Sequence, residues 1–410
     1  MKYYLQKKSL NKILFEGKST FNLLCYLLWG LSLFDYLVGA FRHFVPSITN
    51  NNYITIPVIF ICVFFALPDI IKRLHVRDLI IYIFCICIYI MQYILYPNNI
   101  TPLNEYAFLC CLAVFPFYLF GKMVDLPKML NAFYYISVGT IVMYILYFLL
   151  YRNGSGQLNS EEYNMAAAYN LLPHVLMVVW MAIRKFSPTR IGMAFISIIV
   201  LFMFGTRGPI LSLAVPVSIY ILFRYHGKHT KLIKTLFITL VVVLPFVLVP
   251  IITYFQDVFS DLDVSARILD KLLDEDITND SGRGDLIVEL NKHLLTEHKI
   301  CGYGLFGSYQ FIGGYPHNIF YELIFSFGFL IGGMLIVWML WHFFKGYHYA
   351  SNDIYKDFIL LFTLMELTHL CFSYTFLTEQ MFFMLIGLCA QSSRQTAKNL
   401  QISNINTCTA

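Results

Sequence analysis

The chain of 410 residues is 58% apolar and 17% aromatic, with only 13% of its residues charged, whereas a soluble globular chain carries about 25% charged and about 45–50% apolar residues. With 38 Phe, 29 Tyr and a mean hydropathy of +0.65, it is a chain solvated mostly by lipid, which excludes a soluble enzyme, a disulfide scaffold and a disordered regulator. The formal net charge of +5 is no nucleic-acid footprint, because the basic residues lie between apolar runs rather than on one face.

Five lysines precede the first apolar run, which is too long for a signal-peptide core and lacks a small-residue cleavage site, so no cleavable signal peptide is expected. A membrane-crossing helix needs about 20 apolar residues, with about 17 at the short end. Such runs cover Thr20–Phe41, Ile54–Ile71, Leu79–Tyr96, Tyr106–Phe120, Leu130–Tyr151 and Asn164–Ile183. They continue through Ile191–Phe204, Pro209–Phe223, Leu232–Tyr254, His317–Phe343, Phe358–Tyr374 and a weaker Phe376–Ala390. The expectation is an all-α, polytopic integral membrane protein with about 12 transmembrane helices. Eleven spans would put the C-terminus outside.

Lysine and arginine collect on the cytoplasmic side of membrane proteins. With the N-terminus inside, alternate connections place 21 of the 29 Lys and Arg residues in the cytoplasm and 8 outside. Every inner connection contributes, so both termini are expected in the cytoplasm.

Of the ten cysteines, only Cys301 falls in an outer connection, so no disulfide is expected there, and no Cys/His spacing suits zinc. The connection over residues 255–316 stands out, since loops beyond about 12–15 residues tend to be functional or disordered. The expected organisation is a membrane domain of nine spans (1–254), this extracytoplasmic loop (255–316), and a membrane domain of three spans with a cytoplasmic tail (317–410). Within the loop, Ile268, Leu269, Leu272 and Leu273 form one helical stripe, and Leu286, Ile287, Leu290 and Leu294 another. Two short amphipathic helices on the outer surface are expected there.

Three places carry chemistry beyond hydrophobicity. Arg283 lies in Asn279-Asp280-Ser281-Gly282-Arg283-Gly284-Asp285, where Ser281 suits a helix cap and Asp285 the positive helix end. A cation there opposes the dipole unless an anion joins it; the plain alternative is a solvated arginine paired with Asp280 or Asp285. Arg207 lies in Phe204-Gly205-Thr206-Arg207-Gly208-Pro209, a tight turn between two short runs, at or just below the outer membrane surface. A cation at that depth marks a functional site unless it snorkels to headgroup phosphates. Finally, Gly302-Tyr303-Gly304 leads to Gly313-Gly314-Tyr315-Pro316-His317-Asn318 at the mouth of the tenth run. His317 can shuttle a proton there, or the His-Asn pair is a helix cap. Glu366, His369 and Ser373 share one helix face and Asp35 stands alone in the first run; each lines a cavity or bonds a neighbouring helix. Asp261-Leu262-Asp263 and Asp274-Glu275-Asp276 have a metal-binding spacing that an acidic loop produces easily by chance.

The stretches GTRGPILSL (205–213), GRGDLIVELNKHLL (282–295) and GYGLFGSYQFIGGYPHNIFYELIFSFGFLIGG (302–333), in that order, resemble the O-antigen ligase/polymerase superfamily over about the C-terminal half of the chain. These are polytopic glycosyltransferases of the C type that act on polyprenyl-diphosphate-linked glycans. The resemblance implies catalytic roles for Arg207, Arg283 and His317, with the arginines on the donor diphosphate and the histidine on the acceptor hydroxyl. It implies substrate binding by Tyr303, Gly304, Tyr315, Asn318 and Tyr321, no metal or cofactor, and no nucleic-acid partner. Polyprenyl-diphosphate-linked donor and acceptor glycans, membrane lipids and a chain-length regulator are the implied partners, at the outer face of a bacterial cytoplasmic membrane. Chemically, an arginine pair can meet the leaving diphosphate's growing charge bidentately. The long GYG…PHNIFYE stretch is more similar to the polymerases than to the ligases, which transfer a finished glycan to lipid A-core. A flippase of the same lipid-linked units is the competing class, although the chain shows no paired halves.

Overall fold

A computed structural model describes residues 74–155, 165–204, 207–226, 230–239, 283–296 and 300–392, with a few positions between 57 and 71. All regular structure among the described residues is helical. Six helices are long and apolar enough to cross a membrane: Val76–Leu95, Pro97–Met123, Leu126–Leu146, Ala167–Arg184, Arg207–Arg224 and Ile319–His348. The protein is therefore a helical, membrane-embedded one. The expected spans Thr20–Phe41, most of Ile54–Ile71 and most of Leu232–Tyr254 lie outside the described residues, as do the Ile268–Leu273 stripe, Asp35 and the two acidic motifs.

The helices are α1 (Val76–Leu95), α2 (Ile100–Phe108), α3 (Val114–Met123), α4 (Leu126–Ser155), α5 (Met165–Arg184), α6 (Pro188–Met203) and α7 (Arg207–Ile219). They continue with α8 (Arg283–Thr296), α9 (Tyr309–Ile312), α10 (Ile319–His348), α11 (Asp353–Phe372) and α12 (Gln380–Ser392). A π-helical turn over Leu109–Ala113 joins α2 to α3. At 16 residues, α6 is shorter than a full span, and so is α12.

Two compact units divide the chain. The first comprises residues 1–65 and 128–279 and contains most of α4 and all of α5 to α7. Its centre is α5, apolar on nearly all sides and correspondingly buried on nearly all sides, with Leu171, Val175, Leu176, Val178 and Trp180 in its core. Two buried polar groups find partners there: the Tyr144 hydroxyl donates to the Ala167 carbonyl (3.0 Å), and His174 Nδ1 lies 3.1 Å from the Ser137 hydroxyl.

The second unit comprises residues 66–127 and 280–410. Small residues let its helices touch backbone to backbone, as membrane helices without a hydrophobic driving force must. A side chain at Gly121 on α3 would strike the Met384 carbonyl of α12, and one at Gly387 on α12 would strike the Tyr118 carbonyl of α3. Exposed Phe329, Leu330, Val337, Trp338 and Trp341 on α10 form an apolar surface suited to lipid rather than water. Lys122, which falls between the fourth and fifth expected spans and so among the cations counted as cytoplasmic, is buried on α3 and ion-paired with buried Asp78 of α1. Tyr118 donates a further 3.0 Å hydrogen bond to that carboxylate. Neither charge could be left there alone, which is the reason both occur.

Candidate functional site

The second unit contains a break in a membrane helix and an irregular segment packed against it. α10 is interrupted at Gly328 (φ 75°, ψ 172°), a conformation open to glycine but not to other residues. Any side chain there would collide with the Ile300 carbonyl. The break leaves carbonyls without helical partners, and the segment supplies them: Tyr303 N–H donates to Phe325 O and Gly304 N–H to Ser326 O, each at 2.9 Å. Residues 302–308, near the end of the expected outer loop (255–316), are all buried.

Side chains from α1 and the turn after it complete the support. Gln92 Oε1 accepts from Leu305 N–H (3.0 Å), and fully buried Asn99 donates to the carbonyls of Tyr303 and Leu305 (2.9 Å each). Gln310 then donates to Asn99 Oδ1 at 2.5 Å. Irregular backbone at membrane depth is tolerated only where protein satisfies it in this way. Gly304 (φ 78°) faces the Tyr96 ring so closely that a methyl group would not fit. The Tyr303 ring stacks on Phe325 (4.9 Å between centroids), and buried Leu290 and Leu294 of α8 join the same cluster.

That packing fixes α8, and with it the start of the helix at Arg283. Asp285 falls in the first turn as expected, while Ser281 lies outside the described residues. The Tyr321 hydroxyl of α10 donates to Asn291 Oδ1 of α8 at 2.7 Å. Arg283 and His317 thus belong to one unit. Arg207 belongs to the other, where it is half-buried and opens α7.

Three described non-glycine residues have left-handed backbone: Phe306 (φ 58°), His317 (φ 55°) and Tyr374 (φ 68°). Each such residue costs about 1–3 kcal/mol and persists only where surrounding structure imposes it. Two of them, His317 and Tyr374, are linked through the ring of Tyr315. His317 meets Tyr315 edge-on at 4.6 Å, Tyr315 meets Tyr374 at 6.1 Å, and Tyr374 stacks over His369 at 6.1 Å. Phe306 stacks on Tyr106 (5.0 Å), whose hydroxyl accepts from Tyr309 at 3.1 Å. Burial is the main cause raising the phenols of Tyr309 and Tyr315. Both stay protonated throughout the physiological range.

Asn318 proves to be a cap: its side-chain oxygen accepts from Tyr321 N–H (3.1 Å) at the start of α10. Tyr303, Gly304 and Tyr321 are likewise engaged in packing or bonding within the protein. Sequence reasoning missed Gln92, Asn99, Glu322 and Tyr374. Glu322 is buried in the first turn of α10 and accepts from the Thr375 hydroxyl. A lone polar residue within an apolar run was the signal available for Gln92 and Glu322.

No family model, curated protein or solved structure matches this chain. The fold and the site together define a helical membrane-embedded protein with a buried irregular segment seated at a broken helix. The resemblance to the ligase/polymerase superfamily rests on the order of its motifs alone.

Proposed function

We propose that the protein is a membrane glycosyltransferase that joins polyprenyl-diphosphate-linked oligosaccharide repeat units into a polysaccharide. The observation that carries this reading is the strained segment ending at His317: backbone strain gathered around one titratable side chain is a mark of a reactive site. In the proposed reaction an acceptor hydroxyl attacks the anomeric carbon of the donor. The bond from that carbon to the diphosphate breaks, and the polyprenyl diphosphate departs with the electron pair. His317 receives the hydroxyl proton, and the nearby protonated tyrosines orient the sugar. Recognition of diphosphate is assigned to Arg283 and to Arg207, each to be tested separately.

The test is the glycan ladder of cells that depend on this protein, comparing wild type with Arg207→Ala, Arg283→Ala and His317→Ala at matched membrane abundance. Collapse of the ladder to single repeats supports the polymerase. Polymer that accumulates on its lipid carrier without reaching its acceptor identifies a ligase instead. A normal ladder in all three variants removes the site assignment. A second reading, transport of the lipid-linked unit, draws on the interruption of α10, since broken helices frame many transport sites. Accumulation of unpolymerised units on the cytoplasmic side would favour it.

A further inference from the structure

A group of side chains that the proposed transfer does not use lies beside Tyr374. Glu366 and His369 are one turn apart on α11, a spacing that sets both on one helix face. Glu379 reaches them from the short connection leading into α12. Donor atoms of the three lie within 4.8 Å of one another. Glu366 is 2% exposed and His369 6%. Independently of that grouping, Glu366 Oε1 is fully buried and receives no hydrogen bond; His369 Nδ1 lies 3.7 Å from it. Two carboxylates at such a place cannot both be ionised unless positive charge joins them.

We propose that Glu366, His369 and Glu379 bind one divalent first-row transition-metal ion. The donor chemistry selects the class. Two carboxylate oxygens with one imidazole nitrogen suit zinc or manganese, whereas calcium seeks six to eight oxygens and magnesium retains most of its water. The charges also balance, because a dication neutralises both carboxylates and leaves the histidine neutral, as a ligand must be. Donors bound at about 2.1 Å to one ion stand up to about 4.2 Å apart, so side-chain movements of less than about 1 Å close the set. The ion's role is positional. It ties the end of α11 to the connection carrying left-handed Tyr374, whose ring supports Tyr315 and through it His317.

The site goes beyond the glycosyl-transfer reading, and its test needs no glycan. Full-length protein in detergent, purified without a metal-affinity tag, is assayed for zinc and manganese by mass spectrometry and normalised to monodisperse protein. Wild type is expected to hold about one equivalent, and Glu366→Gln and Glu379→Gln only a small fraction of that. Chelator-stripped wild type should regain a higher unfolding midpoint on addition of Zn²⁺ or Mn²⁺, and Glu366→Gln should not. Wild type without bound metal, together with a midpoint indifferent to chelator and to both ions, overturns the proposal and leaves the carboxylates neutralised by protons. Equal metal content in wild type and both variants overturns it as well. A metal-free result leaves the glycan-ladder test untouched, and a normal ladder in the His317 variant leaves the metal result standing.

Discussion

Asn99 has every polar atom of its side chain engaged by the segment it supports, with two bonds given to carbonyls and one received from Gln310. Replacing it by alanine strips buried carbonyls of their partners, at about 1–3 kcal/mol for each group left unsatisfied. Asn99→Ala is therefore expected to lower the unfolding midpoint in detergent by several degrees, and an unchanged midpoint would show that water or a rearranged side chain replaces the amide. His317 gives the opposite expectation. Its left-handed backbone suits glycine, so His317→Gly should hold or raise the midpoint, by up to about 1 kcal/mol equivalent, while abolishing polymer formation. Loss of both stability and polymer would make His317 a packing residue. At this scale the sequence was only partly legible. His317 stands out because it ends a glycine-rich stretch, but nothing in the sequence sets Asn99, two residues after Pro97, apart. Its partners lie more than 200 positions away, and a single sequence carries no record of such contacts.

The helices themselves were far more legible, since unbroken apolar runs announce them. Asn164–Ile183 was expected where α5 occupies Met165–Arg184, and Leu79–Tyr96 where α1 occupies Val76–Leu95. The break in α10 was hidden because Gly328 sits among residues as apolar as those of an unbroken span. α8 shows which forces matter between elements. It carries an exposed Glu289–Lys292 pair on one side and buried Leu290 and Leu294 on the other. Leu294→Ala should detach it, costing about 2–5 kcal/mol, with increased proteolysis of the 283–296 region as the readout. Glu289→Gln should leave proteolysis unchanged, because exposed pairs contribute little. The bond from Lys292 holds the Glu289 carboxyl below its ordinary range. Whatever the pair contributes is present near neutral pH and fades as acidification protonates that carboxyl. Between α3 and α12 the contact is backbone on backbone, so Gly121→Leu and Gly387→Leu should each reduce the monodisperse fraction in size-exclusion chromatography. A normal profile for both would mean that α12 packs elsewhere.

Across the whole molecule, charge and hydropathy spoke clearly about the solvent and less clearly about which residues remain in contact with water. Lys122 was counted with the cytoplasmic cations, yet its charge is neutralised internally by Asp78, 44 positions away. Counted without it, the cations still divide 20 to 8, and a cytoplasmic C-terminus remains the expectation. A C-terminal green fluorescent protein fusion is accordingly expected to fluoresce, and a C-terminal alkaline phosphatase fusion to be inactive. The reverse pattern would remove one span from the count of twelve. Two compact units also imply that stability need not be lost in one step. Heating is expected to give separate loss of protection in the α5 and α10 regions by hydrogen exchange, and a single coincident loss would show them to be cooperative.

The pairing of Tyr303 and Gly304 with the carbonyls of Phe325 and Ser326 also has a consequence for biosynthesis. Ribosomes add about 5–20 residues per second, so residue 304 emerges about 1–5 s before residue 328. During that interval the N–H groups of Tyr303 and Gly304 lack the carbonyls they pair with, and bare amide groups are not admitted into hydrocarbon. The segment must therefore wait in a watery place, at the translocation channel or the membrane surface, until the first half of α10 arrives. The two then enter the membrane together as one hairpin. A pause in translation between residues 304 and 328 would lengthen the wait and expose the nascent chain to quality-control proteases.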